Sequence, residues 1–163
     1  MCVDMAKLQD EIKKVNPFVS REQEVFLNVM RTAEALAEGM DAVLKPAGLS
    51  STQYNVLRIL RGANACCCDS GLACREIGER MVTRDPDITR LLDRMEKAGL
   101  IYRERAKTDR RVIKTAITDA GQKLLADLDA PVMEMHRKQL GHLSQEKLAT
   151  LCELLEEARE HAK

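Results

Sequence analysis

The stretch Ile88-Thr89-Arg90-Leu91-Leu92-Asp93-Arg94-Met95-Glu96-Lys97-Ala98-Gly99-Leu100-Ile101 decides how the rest of the chain is read. Its apolar residues Ile88, Leu91, Leu92 and Met95 recur at the spacing of one helix face, which leaves Asp87, Thr89, Arg90, Asp93, Arg94 and Lys97 outside. Upstream, Asp85-Pro86 reads as the helix start, because Asp can cap while Pro at the first helical position has no N–H to lose. Gly99 ends the helix. Two strand-like runs follow, Leu100 to Arg105 and Arg111 to Ile117, separated by the polar stretch Ala106 to Arg110, and together they predict a β-hairpin.

Upstream of that unit, a short helix is expected from about Ala73 to Met81, with Ile77 and Met81 facing inward. Before it the sequence loses periodicity between Gly62 and Gly71 and reads as a Cys-rich loop. A capping box of Ser50 and Gln53 opens a helix carrying Tyr54, Leu57 and Leu60 that is expected to end at Gly62. A second box, Ser20 with Gln23, opens a long amphipathic helix through Phe26, Met30, Ala33, Ala37, Met40 and Leu44, stopped by Pro46 and Gly48. Downstream of the hairpin, Thr118 caps a long helix through Leu124, Leu125, Leu128 and Val132, where Pro131 is expected to kink it or shift its register. Ser144 caps the last helix, whose stripe is Leu148, Leu151, Leu155 and Ala158.

Composition agrees with a helical chain. Hydrophobic residues make up 45% of the 163, but aromatics only 2%, with no Trp, so the core is to be built from Leu, Val, Ile, Ala and Met. At this length one domain over 1–163 is expected. The 26 basic and 26 acidic side chains cancel, yet residues 75–118 alone carry 12 basic and 8 acidic. A basic excess confined to the middle third is what a segment facing a polyanion would show. The longest charge-free run, Pro46 to Leu57, is too short to span a membrane, and the charged start from Asp4 to Lys14 lacks the apolar segment of a signal peptide. A cytoplasmic protein that makes no membrane contact is the expectation. Six cysteines (2, 66, 67, 68, 74 and 152) then read as reduced thiols, metal ligands or redox sensors instead of a disulfide frame. Cys152 lies beside the stripe of the last helix, where packing accounts for it.

Two short helices joined by a tight turn and followed by a hairpin make a winged helix-turn-helix, in which the second helix fits the major groove and the hairpin reaches the neighbouring backbone or minor groove. The fold class is mainly α with a small β-hairpin wing (α+β). The run from Ile88 to Ile101, then Thr108-Asp109-Arg110-Arg111, then Ile117-Thr118-Asp119-Ala120-Gly121, resembles the MarR family of bacterial transcription regulators. The resemblance covers about residues 20–160 in element order, and its specific motifs lie between 75 and 121. It implies a homodimer that binds a pseudo-palindromic operator in double-stranded DNA, most simply a repressor released by a small aromatic effector held between the dimer helices and the winged lobe. It also implies a DNA-binding lobe at 50–118 between dimerisation helices at 18–46 and 119–161. Apart from the resemblance, the long helices carry wide apolar stripes that a small lobe cannot cover, so a partner subunit is the expected place to bury them.

The resemblance puts Arg110 at the wing tip, entering the minor groove, and makes Asp109 and Arg111 the pair that braces the wing. A cation in a narrow minor groove meets enhanced negative potential, which gives the assignment a physical basis. Arg84, Asp87, Thr89 and Arg90 complete the expected DNA-contacting set. Two features depart from the family pattern. Asp85 and Asp87 put carboxylates where small hydroxylated residues are commoner. Asp85 is read as the cap, while Asp87 can accept from a base edge such as cytosine N4. Cys66, Cys67, Cys68 and Cys74 form a cluster with no standard zinc spacing, and His136, His142 and His161 are too scattered to complete a site. No metal and no cofactor is therefore expected. A thiol- or metal-responsive regulator built on that cluster stays open, and so do a thiol enzyme and a winged-helix protein-interaction module. No Ser-His-Asp order, phosphate-cradling Gly-rich loop or His-x-x-x-His pair supports an enzyme.

Overall fold

The computed structural model describes residues 7–66, 71–83, 86–106 and 111–161, with side chains omitted for 64–66. Elements follow in the order α1 (Lys7–Glu11), α2 (Arg21–Leu44), a 3₁₀ turn (Lys45–Ala47), α3 (Ser51–Cys66), β1 (Leu72–Ala73), α4 (Cys74–Arg80), α5 (Ile88–Lys97), β2 (Ile101–Arg105), β3 (Ile113–Ile117), α6 (Asp119–Leu140) and α7 (Gln145–Glu160). The chain divides into two compact units, one ending at Gly39 and one running from Met40 onward. No helix among the described residues is long and apolar enough to cross a membrane.

In the first unit the expected box forms: Gln23 N–H donates to Ser20 Oγ while Gln23 Oε1 accepts from the N–H of Val19. The apolar residues of this part of α2 are not covered. Val25, Phe26, Val29 and Met30 are all exposed, Phe26 by 64%. The short helix α1 was not among the expected elements, since five residues are too few to show a period.

The second unit is built on one core that joins Leu44, Val56, Leu57 and Leu60 to Ile77, Leu91, Leu92, Met95, Ile101, Ile117, Leu125 and Val132. This is the set that helical spacing puts inward on α3, α5 and α6. The sheet is antiparallel with strand order β1-β3-β2. Ile101 lies opposite Ile117 and Arg103 opposite Thr115, while β1 adds Leu72 opposite Thr115 on the other edge of β3. β1 escaped the sequence reading because two residues have no alternation to detect, and only tertiary pairing makes them a strand.

Four expectations about elements need correction. Helix α3 does not stop at Gly62 but runs to Cys66, so the first residues of the expected loop are helical. Nothing lies within 4 Å of a Cβ placed on Gly62 and Ala63 packs against the core, so burial of the next residue outweighs the roughly 1 kcal/mol that a helical glycine costs. Helix α5 does not start at Asp85-Pro86. Its cap is Asp87, whose side chain accepts from the N–H of Arg90 at 3.4 Å, and Pro86 lies in the turn before it. The second strand begins at Ile113 instead of Arg111. Cys152 is exposed on α7, a helix with no buried residue, so intrachain packing does not account for it. Helix α6 continues without a break through Pro131, which is exposed.

The Thr118-x-x-Gly121 motif has a clear physical basis. Thr118 Oγ1 accepts from the N–H of Gly121 at 3.1 Å, capping α6, and donates to the carbonyl of Gly99 at 2.7 Å. Gly99 itself turns the chain from α5 into β2 with φ +71°, a conformation that disfavours any side chain. One hydroxyl thus ties the end of the α5 turn to the start of α6, on either side of the hairpin. Gly121 lies so close to that turn that a Cβ would press on the Leu100 carbonyl oxygen and fall 2.8 Å from Ile117 Cγ1.

Candidate nucleic-acid interface

Helix α5 is strongly two-faced. Leu91, Leu92 and Met95 are buried, and Thr89, Arg90, Arg94 and Lys97 point outward and are exposed. With the helix N-terminus and its capping Asp87 at one end, this face offers cations and a hydroxyl on a rigid rod whose other side is fixed in the core. Arg90 is 82% exposed and pairs with the capping carboxylate, Nε to Oδ2 at 3.2 Å. Arg94 donates from Nε to the carbonyl of Arg90 at 3.3 Å. Asp87 therefore serves the helix as its cap and the surface as a local counter-charge. The sequence reading had assigned the cap to Asp85 and had Asp87 either accept from a cytosine edge or discriminate against other sequences.

Thr89, Arg90 and Asp87 come together at the first turn of α5, and Arg111 lies exposed in the turn two residues before β3. Arg84, Asp109 and Arg110 lie outside the described residues, as do Cys67 and Cys68. Cys66 ends α3, with its side chain outside the description, while Cys74 opens α4, half-buried against the core and not in a disulfide. Among the described residues no group of three or more His, Cys, Asp or Glu is arranged to hold a metal ion.

Two polar arrangements were missed by the sequence reading. On β2, Arg103 reaches across to α5. Its Nη2 lies 2.7 Å from Asp93 Oδ1 and its Nε 3.7 Å from Glu96 Oε2. Asp93 and Glu96 are three apart on the helix and so share a face. Pairing acidic residues with a cation three positions apart was legible, but which strand residue would meet them depends on packing that has no sequence signal.

The second arrangement joins α3 to α6. Arg61 grips Asp129 with a bidentate pair of hydrogen bonds, 2.8 Å from Nη1 to Oδ2 and 2.7 Å from Nη2 to Oδ1, and Arg58 Nη1 adds a longer contact of 3.4 Å. The Arg61 hydrogen bonds hold the Asp129 carboxyl below its ordinary range and raise the Arg61 guanidinium in turn. Beside this pair a cleft of about 420 Å³ opens between the same helices, lined by Tyr54, Asn55, Arg58, Val132, Met133 and His136 among others. Its lining mixes the apolar Ile59, Val132 and Met133 with Tyr54, Asn55, Arg58, Asp129 and His136, and the Arg58, Arg61 and Asp129 group beside it carries one net positive charge. Asn55 also accepts, through Oδ1, the N–H of Val82 at 2.9 Å, so a wall of the cleft holds the segment leading into α5.

The family model for the MarR family matches residues 49–113, which are α3 through the start of β3. A MarR transcription factor of known structure from Planctomyces limnophilus is 41% identical, with 85% of this chain and 98% of that one covered and a TM-score of 0.64. The transcriptional regulator FarR of Neisseria gonorrhoeae is 26% identical over 141 residues, 86% of this chain and 92% of its own length. The PcaV transcriptional regulator of Streptomyces coelicolor, solved with its natural ligand, is 21% identical with a TM-score of 0.72 over 91% of this chain and all of that one, a likeness of fold. The match to the Planctomyces protein covers most of both chains at 41% identity, and on that ground the chain belongs to the MarR family of transcription regulators.

Proposed function

We propose that this regulator binds double-stranded DNA as a homodimer, with α5 in the major groove and the β2–β3 hairpin on the adjacent backbone, and that a small planar anion in the α3–α6 cleft controls the binding. The observation that carries the reading is the division of α5, which buries Leu91, Leu92 and Met95 and turns Thr89, Arg90, Arg94 and Lys97 outward next to a β-hairpin. A helix presenting cations and a hydroxyl from a fixed support suits phosphate positioning and base reading. In this reading Arg84, Thr89 and Arg90 contact DNA, Asp87 biases the base choice from its cap position, Arg110 enters the minor groove, and Asp109 with Arg111 braces the wing.

Homodimer formation is supported by apolar side chains left uncovered within each unit. Phe26 and Met30 in the first, and Met133, Leu151 and Leu154 in the second, are exposed at 39–64%. Effector control is supported by the cleft, where apolar Ile59, Val132 and Met133 lie beside an arginine pair that outnumbers its carboxylate partner, a mixed lining that suits an aryl carboxylate, and by PcaV, a regulator of this fold that was solved with its natural ligand. Repression is the simplest mode, since a dimer seated on a promoter blocks polymerase and a ligand that unseats it restores access.

The test is retention of duplex DNA by the protein together with a salt titration. Binding should weaken steeply with salt, with log affinity falling by about 0.9 per neutralised phosphate for each unit of log salt. Replacing Arg110 by Ala should weaken binding by about 1–3 kcal/mol with the fold intact. Affinity that ignores salt would overturn the reading.

A further inference from the structure

The carboxylate of Asp87 meets one residue through both of its oxygens. Oδ1 accepts from the backbone N–H of Arg90 at 3.4 Å, and Oδ2 lies 3.2 Å from Arg90 Nε. The first contact caps α5, and the second holds the Arg90 side chain. Both side chains stand on the surface, Arg90 82% exposed and Asp87 49%, so the pair contributes little to the stability of the free protein. Its consequence is geometric. An arginine carries five N–H donors in a planar fork, and a partner on Nε fixes the plane of that fork while leaving its outer edge, Nη1 with Nη2, to meet a ligand. Two parallel donors of this kind are what guanine O6 and N7 accept in the major groove. An unpaired carboxylate at the same place would be repelled by phosphates and could accept only from a base donor such as cytosine N4. Paired with Arg90, its charge is balanced and each oxygen is engaged. Once a duplex excludes water from this face, the attraction within the pair grows, because the local dielectric constant falls.

We propose that Asp87 is a positioning residue that presents the Arg90 guanidinium to a guanine, so that α5 reads a G·C pair at one fixed place in each half-site through Arg90 while Asp87 touches no base. This rests on the DNA-binding reading and names how one base pair is chosen within it. The two roles of Asp87 also separate by sign. Removing its charge takes a negative group from a phosphate-facing surface, which favours binding to any sequence, while releasing Arg90 weakens the choice of one base.

The experiment selects duplexes from a random pool with the full-length parent, then repeats the selection with Arg90→Ala, Asp87→Ser and Asp87→Asn. Serine and asparagine are both good helix caps, so α5 keeps its start, but each offers a single oxygen that cannot serve the Arg90 amide and Nε together. Circular dichroism establishes that each variant is folded. Affinities are then measured for the parent's enriched duplex, for the same duplex with one base pair changed at a time, and for a duplex without the site. The parent should enrich a G·C pair at one fixed position in each half-site, and Arg90→Ala should abolish that preference while the other positions stay readable. The Asp87 variants should cut the same preference by about three- to tenfold, the scale of ordering one long side chain at an interface. Their binding to the duplex without the site should tighten. A residue that served only as a cap would instead weaken every sequence alike. Uniform weakening or an undiminished preference in both Asp87 variants overturns the proposal. A preference that the Asp87 variants lose and Arg90→Ala keeps overturns it too, by making Asp87 the reader of the paired cytosine. So does an Arg90→Ala variant whose salt slope falls by about 0.9 per subunit with no change in base preference, which makes Arg90 a phosphate contact. A parent that enriches no duplex overturns the DNA-binding reading itself, and this proposal with it.

Discussion

Replacing Gly121 by Ala pits two effects of opposite sign against each other. Gly121 lies in the first turn of α6, and within a helix Ala is favoured over Gly by up to about 1 kcal/mol. Against this, the added methyl would press on the Leu100 carbonyl oxygen and sit 2.8 Å from Ile117 Cγ1. Both neighbours belong to the strand-to-helix junction, where Thr118 already fixes the backbone through Gly99 and Gly121, so neither can give way cheaply. Overpacking of this kind costs about 1–3 kcal/mol. The clash should win, for a net loss of up to about 2 kcal/mol, or up to about 8 °C in melting temperature for a chain of this size. Thermal unfolding followed by circular dichroism, with protein concentration held equal because a dimer's midpoint depends on it, reads the difference directly. A melting temperature equal to or above the parent's would show that propensity outweighs the contact, and would refute the account of why the junction needs glycine.

Asp129→Asn should remove an acid-sensitive part of the stability. The Arg61 hydrogen bonds lower the folded carboxyl's pKa below its ordinary 3.8, so the pair's contribution is present above that value and is lost as pH falls below it. Since Asp129 is 43% exposed the gain is screened to about 1 kcal/mol or less, and urea midpoints of parent and variant should differ at pH 6 and converge toward pH 3, whereas a constant gap would contradict the assignment. Glu substitution at Leu151 and Leu154 should convert a dimer to monomer in light scattering while α3 to β3 stays folded, because these side chains lie exposed on a helix with no buried residue. A dimer unaffected by both changes would remove α7 from the interface.

Long periodic segments were legible in the sequence. The core stripe of α5 and the caps at Ser20, Ser50, Thr118 and Ser144 all occur in the structure, because each is a local spacing with a local cause. What the sequence hid was set by tertiary contact. β1 is a strand only because β3 lies beside it, α3 outlasts Gly62 because Ala63 reaches the core, and the cap of α5 is two residues later than expected because the Asp87 carboxylate meets the Arg90 amide. The candidate site was legible as a motif but not as a machine. Thr89 and Arg90 could be picked as outward residues of a helix face and Arg111 through the family resemblance, while Arg103, which joins strand to helix, looked like any other charge in an alternating strand.

The measurement that tests the central claim most directly is selection of duplexes by the full-length protein from a random pool. If α5 and its two-fold mate enter successive major grooves, the enriched sequences should be pseudo-palindromes with half-sites centred about one helical turn apart. Enrichment of nothing, or of sequences without two-fold symmetry, would contradict the account.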